Sequence, residues 1–214
     1  NDDGGLGKTG VPATLLTAYL DQQGIQVEKT TDFTILFLFS IGITKGKWGT
    51  LMNALLDFKR DYDADIPLVR VLPALVARAP ERYAKLGLRG LADQMFEQLK
   101  SSRQTQAMSK AFSTLPTPVM TPAAAYRELV LGRVESVPLG QLAGRTLATS
   151  VVPYPPGIPM LMPGELAGPE TGPYLTYLRA LRDWDLRFPG FGHDTHGIEV
   201  REDGEQYLQC IRKH

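Results

Sequence analysis

Residues 24–63 read GIQVEKTTDFTILFLFSIGITKGKWGTLMNALLDFKRDYD, and changes of texture inside this stretch decide the fold class. Residues 25–29 predict a short strand. Residues 30–32 are turn-like, and residues 33–41, FTILFLFSI, are aromatic and β-branched at odd and even positions alike. They are therefore expected as a strand buried on both sides. From Lys45 the period changes, with Leu51, Leu55 and Phe58 on one stripe and charge opposite, the pattern of an amphipathic helix packed on that strand. Upstream, Pro12 followed by ATLLTAYLDQQG predicts a further helix, with Leu15, Leu16 and Tyr19 near helical spacing and Gly24 as the stop. Helix, strand, strand and helix with short connections make a compact α/β unit ending near Tyr62.

After Asp63 the texture shifts. Pro67, Pro73 and Pro80 cut the chain into short segments, since proline inside a helix costs about 3 kcal/mol. A boundary falls there, giving domains of residues 1–63 and 64–214, α+β in class. In the second domain LADQMFEQLKSSR and TPAAAYRELVLG read as helices, the latter with Thr121 as cap and Pro122 in its first position. The apolar but proline-rich run PYPPGIPMLMPGE is expected to be a rigid, mostly buried loop. YLTYLRALRDWDLRF predicts a helix with Leu175, Leu178 and Leu181 on one face. IEVRED, Gly204 and EQYLQCIR predict a closing hairpin.

Of the 214 residues, 43% are hydrophobic, enough to form real cores in a soluble globular protein. Lysine plus arginine (23) balance aspartate plus glutamate (23), so no net field recruits nucleic acid or an anionic membrane surface. No apolar run approaches the roughly 20 residues of a spanning helix. The single cysteine, Cys210, cannot form an internal disulfide and fits a cytoplasmic setting. The amino terminus, NDDGGLGKTG, reads as the middle of a loop, so the chain is expected to be a fragment of a longer protein.

Three features invite chemistry. GLGKTG at 5–10 resembles a phosphate loop, but the pattern needs glycine where Asp2 stands, and no strand precedes it. His193 and His196 sit three apart without a third or fourth metal ligand in view, and are expected to be structural. Glu28 lies at a strand end, where α/β proteins gather ligands. On pattern alone an exposed carboxylate paired with Lys29 or Lys45 is the simpler reading.

The run from Gly24 to Asp65, together with SVVPYPPGIPMLMPGE and FPGFGHDTHGIE, closely resembles the bacterial ornithine/lysine/arginine decarboxylase family of fold type I pyridoxal-phosphate enzymes. The resemblance covers the chain from Gly10 onward. It implies that residues 1–63 are the end of an aminotransferase-like small α/β domain and residues 64–214 a mixed α/β carboxy-terminal domain. Pyridoxal 5'-phosphate is implied as cofactor, bound by an upstream domain. The family's cofactor lysine follows a histidine, and no lysine here does, so no catalytic residue and no cofactor contact are expected on this chain.

The implied partners are a basic amino acid and further copies in a dimer or larger ring. The implied reaction releases carbon dioxide and consumes a proton, serving polyamine synthesis and acid resistance. In the lysine and ornithine branches the glutamate of the VEKT-like segment faces the distal ammonium of the substrate, which makes Glu28 the implied substrate-binding residue. A threonine there in the arginine branch points Glu28 to lysine, whereas TTDF, TKGKWGTL and WD-x-x-FPGF look more like the arginine branch. An arginine that helps lysine-branch enzymes bind guanosine tetraphosphate aligns, through Pro80-Glu81-Arg82-Tyr83, with Gly87, implying weakened regulation. The PYPPGIP loop is implied to wall the active-site entrance or to contact a subunit. The rival reading is a non-catalytic oligomerisation module.

Overall fold

A computed structural model describes residues 6–154, 156–202 and 204–213. It is a mixed α/β chain in two compact units. The first runs to Ser102 and includes Phe188–Phe191, and the second comprises Arg103–Arg187 and the residues from Gly192 onward. The change of texture at residue 63 coincides with the end of a helix, whereas the division by contacts falls at Ser102.

In the first unit, helix α1 (Ala13–Gln22) enters through extended Pro12 and buries Leu15, Tyr19 and Leu20. It stops where Gly24 takes a φ of +71°, a conformation that costs glycine little. Strands β1 (Lys29–Thr30) and β2 (Ile35–Leu36) pair antiparallel, Lys29 opposite Leu36. Helix α2 (Lys45–Asp63) is capped by the Thr44 hydroxyl, which accepts from the Lys47 amide at 3.5 Å. It buries Leu51, Ala54 and Phe58, and Leu55, one turn on from Leu51, packs partly buried against the same core. The Tyr19 ring meets Phe58 edge-on at 5.2 Å, tying α1 to α2.

Two expectations fail here. The strand expected at residues 25–29 begins only at Lys29, and the nine-residue strand expected at 33–41 shrinks to Ile35–Leu36. Nor is that run buried on both sides, because Leu36, Leu38, Phe39 and Ile41 are more than half exposed. The cause is the supply of partners. Among the described residues β1 is the only strand beside β2, and α1 and α2 cover one side, where Phe37 joins Leu20 and Leu51 in the core. A continuous apolar run records that both sides suit burial, not that both are covered within this chain.

The prolines start helices instead of breaking them: α3 (Leu68–Val71) follows Pro67, and α4 (Pro73–Arg78) and α5 (Pro80–Tyr83) open on theirs, where the missing N–H costs nothing. Helix α6 (Leu88–Ser102) buries Leu88, Leu91, Met95 and Leu99 on one face. Its start is capped at a distance, for Asp65 Oδ1 accepts from the amides of Arg89 (2.9 Å) and Gly90 (3.1 Å). Gly87 leaves room for that carboxylate, since a Cβ there would lie 2.2 Å from Asp65 Oδ1 and 2.7 Å from the Asp65 carbonyl oxygen. Gly87→Ala is therefore expected to cost about 1–3 kcal/mol by overpacking and to lower the Tm by several degrees. Calorimetry with no change in Tm would show that the cap yields freely.

In the second unit, α7 (Gln104–Ser113) was not legible in the sequence. It begins after Arg103, held left-handed at φ 50°, so α6 ends and α7 starts without glycine or proline to mark the break. Helix α8 (Pro122–Val130) has the expected Thr121 cap, its hydroxyl accepting from Ala124 N at 3.2 Å. Strands β3 (Val134–Pro138) and β4 (Val152–Tyr154) follow, then helix α9 (Pro173–Arg187), which buries the expected Leu175, Leu178 and Leu181 together with Tyr177 and Trp184. Phe112 of α7 meets Tyr177 of α9 edge-on at 6.2 Å.

Strand β5 (Asp194–His196) pairs with β4. The expected terminal hairpin is β6 (Ile198–Val200) with β7 (Gln206–Ile211), and β3 adds to the other edge of β7 in the order β3-β7-β6. Gln206, Leu208 and Cys210 alternate inward from β7. The proline-rich run is less buried than expected: Met160 and Leu161 are buried, while Tyr154, the last residue of β4, and Ile158 are about half exposed. Pro155 lies outside the described residues. Among the described residues no helix is long and apolar enough to cross a membrane.

Candidate functional site

Glu28 stands immediately before β1, its main chain fixed by the amide that donates to Leu36 O at 2.9 Å. Its side chain is exposed. Among the described residues the carboxylate has neither ion-pair nor hydrogen-bond partner, so the pairing with Lys29 or Lys45 that pattern favoured does not form. The residue just before β1 thus presents an unspent negative group on a tethered backbone.

A cleft of about 340 Å³ opens in the same unit, lined by Ile25, Gln26, Phe37, Leu38 and Phe39 with Lys47. Glu28 does not itself line the cleft. A second cavity of about 390 Å³, polar, lies among Tyr19, Gln22, Asp57, Arg60, Asp61 and Arg70. Its acids are already engaged: Tyr19 Oη donates to Asp61 at 2.8 Å, and Arg60 meets Asp57 at 2.7 Å and Asp61 at 3.1 Å. Burial and the Asp61 carboxylate push the Tyr19 phenol far above its ordinary range, so it stays a neutral donor.

His193 and His196 do not converge. His193 is mostly buried, and Asp185 Oδ1 takes both its backbone amide and its Nδ1 at 2.9 Å, while Gln104 Nε2 lies 3.4 Å from Nε2. His196 is exposed beside Asp194 at 3.4 Å. Among the described residues no cluster of three or more histidine, cysteine, aspartate or glutamate side chains could hold a metal. Cys210 is fully buried, and that burial pushes its thiol up to about 11, leaving it an inert thiol near neutrality. In the GLGKTG segment Lys8 is exposed, and Asp2 and Gly5 lie outside the described residues.

Pyridoxal phosphate needs a lysine to bind it covalently, in a setting dry enough to keep the amine reactive. Lys29 is half-buried and every other lysine of the chain is exposed, and none follows a histidine. The residues present do not fit the cofactor.

Known proteins align with this arrangement along nearly its whole length. Residues 105–212 match the family model "Orn/Lys/Arg decarboxylase, C-terminal domain", and residues 1–47 match "Orn/Lys/Arg decarboxylase, major domain". The biodegradative arginine decarboxylase of Escherichia coli (strain K12) is 49% identical over 99% of this chain and 28% of its own length. A lysine decarboxylase of Pseudomonas aeruginosa is 43% identical over 98% of this chain and 28% of its own length. Among solved structures, the constitutive lysine decarboxylase of E. coli superposes with a TM-score of 0.93 at 38% identity, covering 99% of this chain and 30% of that one. The chain thus spans under a third of the length of these relatives.

Proposed function

The chain belongs to the Orn/Lys/Arg decarboxylase family, and on that premise we propose that its parent is a pyridoxal-phosphate-dependent decarboxylase of lysine, yielding cadaverine and carbon dioxide. The observation that carries a cationic substrate is Glu28, a carboxylate without a partner just before β1, and the choice of lysine over arginine rests on the resemblance, whose arginine branch has a threonine there. Two unit charges 4 Å apart attract by about 4 kcal/mol at an effective dielectric of 20, before desolvation is subtracted. That is enough to select a side chain ending in an ammonium over a neutral one. The cofactor belongs to the upstream domain, and this chain's part is to orient the far end of the substrate. By stoichiometry the carboxylate leaves as carbon dioxide and one proton replaces it on the α-carbon.

In this reading residues 1–63 complete an aminotransferase-like small domain, and residues 64–214 form the carboxy-terminal domain of a cytoplasmic enzyme that assembles as a dimer or larger ring. The tight seat of Gly87 against Asp65 supports weakened control by guanosine tetraphosphate, since an arginine side chain there would displace the α6 cap. A second reading, arginine to agmatine, is favoured by the 49% identity to an arginine decarboxylase. Measuring carbon dioxide release by the full-length parent on lysine, arginine and ornithine separates them. Lysine is expected to give the highest kcat/KM; a tenfold preference for arginine would overturn the choice of lysine, and no release from any of the three would overturn the enzyme reading itself.

A further inference from the structure

The first unit carries an apolar face that stays exposed among the described residues. Leu38 (72% exposed), Phe39 (51%) and Ile41 (110%) present it from the stretch after β2, and Trp48 (51%), Met52 (39%) and Leu56 (63%) from α2. The three α2 residues recur every fourth position, so α2 is apolar on two stripes, one against α1 and one facing outward. A helix built this way is ordinarily sandwiched between layers. The Phe39 and Trp48 rings, 5.8 Å apart, join the two halves into one patch. An apolar patch of this continuity marks a contact surface.

Its charge selects the occupant. From Phe33 to Leu56 the only charged residues are Lys45 and Lys47. A second copy docked face to face would set lysine against lysine across a drying contact, and like charges so placed cost several kcal/mol. The occupant therefore differs from this face and carries acidic residues opposite the lysines. The stretch presenting Leu38, Phe39 and Ile41 lies inside residues 1–47, the part matched to the major domain, and relatives carry far more chain than the 28% matched here. Resting on the parent enzyme proposed above, we propose that this face docks within one polypeptide onto the upstream remainder of the major domain, through an apolar contact rimmed by acidic residues that meet Lys45 and Lys47.

The test uses the full-length parent. Residues 37–42 belong to no helix or strand, so their amides report coverage directly. Protection of these amides by about 100-fold or more in hydrogen exchange is expected, together with carbodiimide crosslinks from Lys45 or Lys47 to upstream carboxylates of the same polypeptide. Mixing isotopically heavy and light parent distinguishes links within one copy from links between copies. Unprotected exchange, links only between copies, or protection without any link would each overturn the proposal. A parent that decarboxylates yet leaves residues 37–42 unprotected sinks this inference alone, whereas a protected, crosslinked parent inactive on all three amino acids sinks only the enzyme reading.

Discussion

Replacing Glu28 by glutamine in the full-length parent is expected to lower kcat/KM for lysine by roughly 30- to 150-fold, about 2–3 kcal/mol, with a smaller loss for arginine. Glutamine keeps the size and the hydrogen-bonding oxygen while removing the charge, so the change isolates the electrostatic contribution. The full 4 kcal/mol is not expected, because both the carboxylate and the ammonium surrender part of their hydration on meeting. The fold is not at risk, since the Glu28 backbone amide, which the change leaves in place, donates to Leu36 O of β2 and the side chain is exposed. Steady-state assays of decarboxylation check the result. Unchanged lysine turnover and unchanged preference over arginine would remove the reason for singling out this residue.

The largest expected effect on stability lies in the second unit. Trp184, 1% exposed on α9, fills the core with one side chain and meets the His193 ring at 6.0 Å. Trp184→Ala removes that ring and leaves a cavity, at a cost of about 3–5 kcal/mol. For a chain of this size each kcal/mol lowers the Tm by roughly 2–4 °C, so the transition of the second unit should move down by about 6 °C or more. Leu186, two residues on and 57% exposed, serves as the control; Leu186→Ala should stay within about 0.5 kcal/mol of the parent. Equal shifts for the two variants in scanning calorimetry would mean that the core does not close around Trp184.

Both results bear on how much of the molecule can be read from residues alone. Helices α1, α2 and α9 and the β6–β7 hairpin were legible, because each carries its period and its stop signals locally: Pro12 and Gly24 around α1, the leucine stripe of α9, the alternation of β7. Helix α7 was not, since its boundary rests on Arg103 in a left-handed conformation that no residue type announced. The run at residues 33–41 misled for a different reason. Its composition states the burial it is suited to, and coverage is a property of neighbours, which here shield Phe37 and leave Leu38 open.

The site followed the same division. Glu28 was expected near the carboxyl end of a strand over residues 25–29, but it stands just before β1, which begins four residues later than expected. That its carboxylate would stand free of Lys29 and Lys45 was not legible, because pairing depends on side-chain directions that spacing does not encode. Its role toward a substrate was never in the pattern and rests on the family resemblance. Asp65 and Gly87 were likewise invisible as a pair, since the contact joins residues 22 apart through an α6 cap that only the folded backbone creates.

The most direct test of the central claim is a crystal structure of the full-length parent with a non-reactive lysine analogue bound. The account predicts the Glu28 carboxylate within about 3.5 Å of the distal ammonium, the range of a charge-assisted hydrogen bond. A distal ammonium held by another residue, with Glu28 turned to solvent, would contradict it.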